Sequence, residues 1–230
     1  MRLDLNKYLA DRFHDELRYK ESQGPVITIS RQTGCPAKNI AKKLTEKLTE
    51  KMEVRGNKLQ WKMITKEIIS ESAKALDVDP ARIKFILDCE EKGFLDEIVA
   101  SHLSKYYKSD RKIRTTIARV IRNIACEGHV VIIGRGGVAI THSIPKSLHI
   151  SLEAPIEWRV ERISIKQNLS INEAKKYVID VDKKRKQFRE SFEGKNNDYT
   201  WFDLTFNCMT LSEDEIVSII TRTAEIRNFI

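Results

Sequence analysis

The sequence predicts an α/β fold, a three-layer sandwich with a mostly parallel central sheet and helices on both faces. Three observations predict it. Three short runs, VITI at Val26–Ile29, VVII at Val130–Ile133 and SLHISL at Ser147–Leu152, read as strands, the first of them buried in a parallel sheet. The longer stretches between them carry apolar residues at helical spacing. Strand and helix patterns alternate, which is the rhythm of parallel strands joined by crossover helices.

Taken in order, residues 1–21 read as a helix with a loose stripe of Leu3, Leu5, Tyr8, Leu9, Phe13 and Leu17, ended by Gln23-Gly24-Pro25. Val26 to Ile29 is the first strand. Pro36 suits a helix start, and Ile40, Ala41, Leu44 and Leu48 turn one face of that helix inward. Residues 53–60 are polar, with Gly56-Asn57 as the turn, and Lys58 to Trp61 reads as a brief strand. Ile64, Ile68, Ile69 and Ala73 mark a helix ending near Asp79-Pro80, and Arg82 to Leu103 is helical again. Lys105 to Asp110 reads as an exposed connection. Ile113, Ile117, Val120, Ile121 and Ile124 mark a helix closed by Gly128. After the second clear strand comes Gly134-Arg135-Gly136-Gly137, and after the third, Pro155 opens a helix to about Ile165. Ser170 and Ser212 are caps for the last two long helices, the first with Glu173 three residues on. Asp203 to Asn207 is the last strand.

Composition narrows the function classes. The chain has 230 residues, 41% of them hydrophobic, enough for a real core. No run reaches the length of a membrane span. The N-terminal MRLDLNKYLADRFHDEL mixes acids and bases and lacks the apolar centre of a secretion signal. Cys35, Cys89, Cys126 and Cys208 are scattered without metal-ligand spacing, as in a cytoplasmic protein with reduced thiols. No metal site is assigned to protein side chains. The net charge of +8 fits either a nucleic acid or a compact anionic substrate drawn in by the field. The placement of the arginines decides between them.

Open α/β sheets bind ligands at the carboxyl ends of their strands. Two turns lie there. In ITISRQTGCPAKNIAKKL the small residues Thr33, Gly34 and Cys35 let the backbone curl round an anion, and the following helix aims free N–H groups at it. Lys38 stands in the first helical turn against the helix dipole, a conflict that a bound phosphate removes. The strict G-x-x-x-x-G-K-[ST] signature is not kept, since Arg31, Pro36 and Ala37 hold its first glycine, second glycine and lysine positions. From spacing alone the turn either holds a phosphate or only joins strand to helix. In the second turn, Arg135 stands among three glycines. It is either an anion clamp, bidentate through its guanidinium, or a solvent-facing residue of a tight turn.

Arg159 and Arg162, three apart, and Arg185 and Arg189, four apart, then form two basic helical faces joined by the polar turn from Gln167 to Ser170. They read as a lid over a polyphosphate, as a solvated charged hairpin, or as a nucleic-acid face. His149 falls within a strand pattern and reads as a core or sheet-face residue.

Together, ITISRQTGCPAKNIAKKL, VVIIGRGGVAI, SLHISLEAPIEWRVERI, IDVDKKRKQF and FDLTFN resemble the cytidylate-kinase-like family of P-loop nucleoside monophosphate kinases. They run in family order over roughly residues 25–222, leaving 1–24 as an N-terminal helical extension to a domain at 25–230. The resemblance implies a P-loop NTPase-like core, an acceptor-side helical insert at about 61–114 and a helical lid at about 159–190. It implies transfer of the ATP γ-phosphoryl group to a nucleoside monophosphate, CMP or dCMP first, with ATP and Mg2+ as cofactors. The nucleotide set it implies is Ser30, Arg31, Gln32, Thr33, Gly34, Cys35, Lys38 and Asn39. The catalytic set is Lys38, Arg135, Arg159, Asp182, Arg185 and Arg189, with Arg135 on the acceptor monophosphate and Asp182 orienting an arginine or the base. A nucleoside monophosphate is then the partner, without membrane or nucleic acid, and a homo-oligomer is compatible with it. A kinase-like protein that binds nucleotide without transfer, or a basic nucleic-acid-binding protein, are the alternatives.

Overall fold

The structure, a computed structural model, describes residues 24–64, 107–193 and 199–230, together with positions 70 and 74. Five parallel strands form one sheet in the order β2-β3-β1-β4-β5. These are β1 (Val26–Arg31), β2 (Lys62–Ile64), β3 (Val130–Ile133), β4 (Ser147–Glu153) and β5 (Leu204–Asn207). The central strand β1 pairs with β3 from Val26↔Val130 and with β4 from Val26↔Ser147. This is the predicted α/β architecture, a P-loop NTPase-like three-layer sandwich.

Alternation along each strand sorts the two faces. Ile27, Ile29, Val131, Leu148, Ile150 and Leu152 share one core with α1 (Ala37–Val54) and the C-terminal helix (Glu213–Ile226), through Ile40, Leu44, Leu48, Ile216 and Ile220. Val26, Val130 and Ile132 share the other with Ile117 and Ile121 of α2 (Tyr107–Glu127) and Ile140 of the short α3 (Gly137–Thr141). Then α4 (Ile156–Gln167) and α5 (Ile171–Glu193) form a hairpin with its own small core of Val160, Ile163, Ala174 and Val178. The C-terminal helix is α6. The two predicted serine caps are both present: Ser170 with Glu173, and the full capping box of Ser212 with Glu215.

Three expectations are corrected. The second strand is Lys62–Ile64, not Lys58–Trp61. Positions 57–60 are exposed and offer no buried side chain, whereas Ile64 is buried and Lys62 N–H donates to His129 O. Tyr107 to Asp110 is not a connection but the first turn of α2. Gly137, read as the last residue of a turn, instead opens a short buried helix, Gly137–Thr141. The expected helices at 1–21 and Arg82–Leu103 lie outside the described residues, as does most of the expected insert at 61–114.

His149 sits on the sheet face as expected, 5% exposed, with Thr28 Oγ1 2.7 Å from its Nδ1. Its buried Nε2 has no partner. Burial pushes its pKa down to about 4 against the pull of Asp203, with His142 and Arg227 adding to the depression. The unfolded chain, with an ordinary histidine, therefore takes up a proton first as pH falls. Stability from this residue is whole above about pH 6.5 and is lost as pH falls toward 4, by no more than about 3 kcal/mol. Urea unfolding at pH 7.5 and pH 5 is expected to lose more stability in the wild type than in His149→Gln. An equal loss in both would place the acid sensitivity elsewhere.

Candidate functional site

A cavity of about 680 Å³ opens at the carboxyl ends of β1 and β3. The turn after β1 supplies one wall from Arg31 to Asn39, the turn after β3 supplies Arg135, and the α4–α5 hairpin supplies Arg162, Lys166, Tyr177 and Arg185. Cations from four separate segments thus face one space. That convergence favours a compact anion over an extended nucleic-acid backbone.

The turn after β1 is shaped by contacts from outside it. Gln32 N–H donates to Leu152 O, and its Oε1 accepts from Ala154 N at 3.0 Å. Gly34 has φ +99°, and a Cβ there would come within 3.0 Å of Arg159 Cβ and 3.1 Å of its Cα and O. Glycine is needed both for that conformation and for the close approach of α4. Pro36 caps α1 without a side-chain hydrogen bond. Ala37 N–H donates to Cys35 O and Ile40 N–H to Pro36 O, and none of the turn–loop backbone bonds uses the N–H groups of Gly34, Lys38 or Asn39. Free first-turn donors of this kind suit an anion.

Thr33 is the pivot. Its N–H donates to Asp182 Oδ1 at 2.8 Å and its Oγ1 to the same oxygen at 2.7 Å. The other carboxylate oxygen, Oδ2, accepts from Arg159 Nη1 at 2.6 Å. Arg159 is 6% exposed, and its Nε donates to Ala154 O. Arg185 Nη1 donates to Thr33 Oγ1 at 3.0 Å and lies 3.8 Å from Asp182 Oδ1, while its buried Nε meets no acceptor. An Nε–H left over beside an anion-sized cavity fits a phosphate oxygen.

The second turn is tightly constrained. Gly134, Arg135 and Gly136 are all left-handed, at φ 65°, 58° and 67°. A Cβ on Gly134 would overlap the Arg31 guanidinium, and one on Gly136 would come within 2.8 Å of the Phe192 ring. Arg135 is thus a non-glycine residue held in a costly conformation, on the cavity wall.

The structure brings Arg31, Gln32, Thr33, Gly34, Cys35, Lys38, Asn39, Arg135 and Arg185 to the cavity. Ser30, the penultimate residue of β1, lies beside Ser151 and is not among the lining residues. Arg159 and Asp182 lie behind the lining, joined to each other. Arg189 stands over the Phe202 ring, 5.7 Å from its centroid, outside the lining. Sequence reasoning placed Arg162 on a basic face of the lid reading but not in the site set, and left Lys166 and Tyr177 unremarked. Arg162 faces the cavity, lies 4.5 Å over the Trp158 ring and donates to Gly34 O at 3.2 Å. The i,i+4 spacing of Arg162 and Lys166 was the available signal. Among the described residues no cluster of three His, Cys, Asp or Glu side chains is arranged to hold a metal ion, and no helix is long and apolar enough to cross a membrane.

Residues 26–210 match the model of the cytidylate kinase-like family. The chain is 28% identical over 121 residues to a cytidylate kinase of Methanocaldococcus jannaschii, covering 51% of this chain and 68% of that one. It is 28% identical over 141 residues to a cytidylate kinase of Methanopyrus kandleri, covering 57% and 70%. A crystal structure of an uncharacterized protein from Eubacterium ventriosum has the same fold, with a TM-score of 0.60 at 18% identity over 88% of this chain and 98% of that one.

Proposed function

The chain belongs to the cytidylate kinase-like family, and from that premise we propose that it transfers the γ-phosphoryl group of ATP to a nucleoside monophosphate, with CMP or dCMP as the acceptor. The observation that carries this reading is the meeting of Arg135, Arg162, Arg185 and Lys38 around one cavity at the carboxyl end of the sheet. The turn after β1, with Lys38 and the free first-turn N–H groups, holds the donor phosphates. Arg135, on the neighbouring strand end, grips the acceptor phosphate. The α4–α5 hairpin is the lid, and Arg162 and Arg185 reach from it toward the transferring group.

The nucleophile is an oxygen of the acceptor's own phosphate, already ionised near neutral pH. No strong general base is needed, which suits a site built from guanidinium and backbone N–H groups. Such groups position two anions and neutralise the charge that spreads in the transition state. Magnesium, when bound, would supply further neutralisation of the phosphate charge. Thr33 Oγ1 is tied to Asp182 and Arg185, so the residues present fit an ion carried by phosphate oxygens and water.

A second reading is favoured by one contact. Asp182 takes the Thr33 N–H that a donor phosphate would use, as in a protein that binds nucleotide without turning it over. A coupled assay of ADP release separates the two. With Mg2+, ADP is expected to appear with CMP or dCMP well above the rate with UMP, AMP or no acceptor. ATP binding without acceptor-dependent ADP in any arm would overturn the transferase reading.

A further inference from the structure

Arg31 is the last residue of β1, and its backbone belongs to the turn that leads into α1. It holds the place of the first glycine of the strict phosphate loop, so a long cation stands where that loop has no side chain. The backbone here is fixed. Arg31 pairs with Leu152 of β4, the next N–H, that of Gln32, donates to Leu152 O, and the Arg31 carbonyl accepts from Arg185 Nη1 at 3.4 Å. The side chain, by contrast, crosses to the neighbouring strand end. A Cβ on Gly134 would overlap Arg31 Nη1 and come within 2.9 Å of its Cζ and 3.5 Å of its Nη2. The sheet sets the span of that crossing, because Ile29 pairs with Ile133 and Gly134 N–H donates to Ile29 O at 3.0 Å. The missing side chain of Gly134 is therefore the space in which the Arg31 guanidinium lies. The residue after Gly134 is Arg135, and both arginines line the cavity.

We propose that Arg31 is an acceptor-side residue, which with Arg135 clamps the phosphate of the nucleoside monophosphate, although its place in the sequence assigns it to the donor phosphates. A phosphate monoester presents three terminal oxygens and close to two negative charges near neutral pH. One guanidinium forks onto two of those oxygens, and a second, arriving from another strand, reaches the third. Arginine suits the position better than lysine. Its planar head lies flat along the backbone of Gly134 and still turns edge N–H groups toward the cavity. Two cations from adjacent strand ends repel each other, and a dianion between them turns that repulsion into attraction. The donor phosphates are left to Lys38 and to the N–H groups of the first turn of α1.

The clamp takes the identity of its ligand from the phosphotransfer reading, on which it rests, and binding rather than turnover tests it. Titration calorimetry on the full chain measures CMP, dCMP and ATP separately for the wild type, Arg31→Met and Arg31→Lys. Methionine keeps an unbranched chain against Gly134 and removes the charge, so the fold is expected to hold, which Tm checks. Arg31→Met is expected to weaken CMP and dCMP binding by about 30- to 100-fold and ATP binding by no more than about threefold. Lysine, with the charge but without the fork, is expected to recover only part of the loss. Should Arg31→Met fail to fold, Arg31→Lys carries the same comparison of CMP against ATP. A larger loss for ATP than for CMP would return Arg31 to the donor site. Unchanged CMP affinity, with or without a fall in Tm, would leave it a packing residue against Gly134. Either result overturns the clamp and leaves the phosphotransfer reading standing. A wild type that binds CMP and ATP but releases no ADP would end that reading instead, and the CMP affinity of Arg31→Met would still decide the clamp.

Discussion

Arg135→Ala is expected to lower kcat/KM for the monophosphate by about 100- to 1,000-fold while changing ATP affinity by no more than about threefold. Arg135 pays for its place in backbone energy. A non-glycine residue at φ 58° costs on the order of 1 kcal/mol relative to an ordinary conformation. The turn cannot relax, because the Arg31 guanidinium lies against Gly134 and the Phe192 ring against Gly136. A side chain kept under those terms on a cavity wall is kept for what its guanidinium does. Alanine carries the same Cβ into the same conformation, so the fold is expected to hold and the loss to be one of anion binding. Arg135 comes from the end of β3, whereas the turn that leads into α1 comes from β1, so under the proposed function the turns that hold acceptor and donor come from different strand ends. Lysine supplies the charge without the bidentate fork, so Arg135→Lys is expected to recover only a small part of the loss. Steady-state kinetics with each substrate varied in turn make the test. Equal damage to ATP and monophosphate, or no damage, would remove Arg135 from the acceptor site.

Much of this fold was legible because its signals are local. A parallel strand buried on both faces tends to be an apolar run, as VITI and VVII are, whereas SLHISL is read from the regular placing of Leu148, Ile150 and Leu152. Ser170 with Glu173 and Ser212 with Glu215 close their capping boxes within four residues. The strand Lys62–Ile64 was misplaced because only Ile64 of its three residues is buried, too little for a periodic pattern. The site was legible only in part. Arg135 was found because its strand and glycines are adjacent to it. Helical spacing paired Arg159 with Arg162 but could not say which is buried. That is decided by Gly34, whose backbone comes so near the α4 backbone that Arg159 is shut in while Arg162 reaches past it to the cavity. The contacts of Thr33 with Asp182 join parts of the chain that share no spacing rule.

Asp182→Asn tests the contact on which the turn after β1 depends. It is expected to lower stability by about 2–3 kcal/mol, a fall in Tm of roughly 5–10 °C for a chain of this size, and to raise the KM for ATP by about tenfold or more. The carboxylate serves three donors at once: Thr33 N–H, Thr33 Oγ1 and Arg159 Nη1. Asparagine keeps one acceptor oxygen and turns an NH2 toward either Thr33 or Arg159. Arg159, 6% exposed, then holds a charge without its counter-ion, which is where most of the stability loss arises. Asp182 itself is 26% exposed on its side chain, and solvent keeps the cost at the lower end of that for a broken buried pair. The effect on ATP has a different source. The turn lacks the glycines that let the strict phosphate loop curl unaided, and Pro36 removes a donor. Its shape is imposed by the carboxylate on α5 and by Arg159 against Gly34. The double variant Arg159→Met with Asp182→Leu separates the two effects. It removes both charges, so stability is expected to return in part, while the Thr33 contacts, and with them ATP affinity, are not restored. Tighter ATP binding by Asp182→Asn would reverse the assignment, since Asp182 would then be competing with phosphate for Thr33 N–H rather than holding the turn open to receive it.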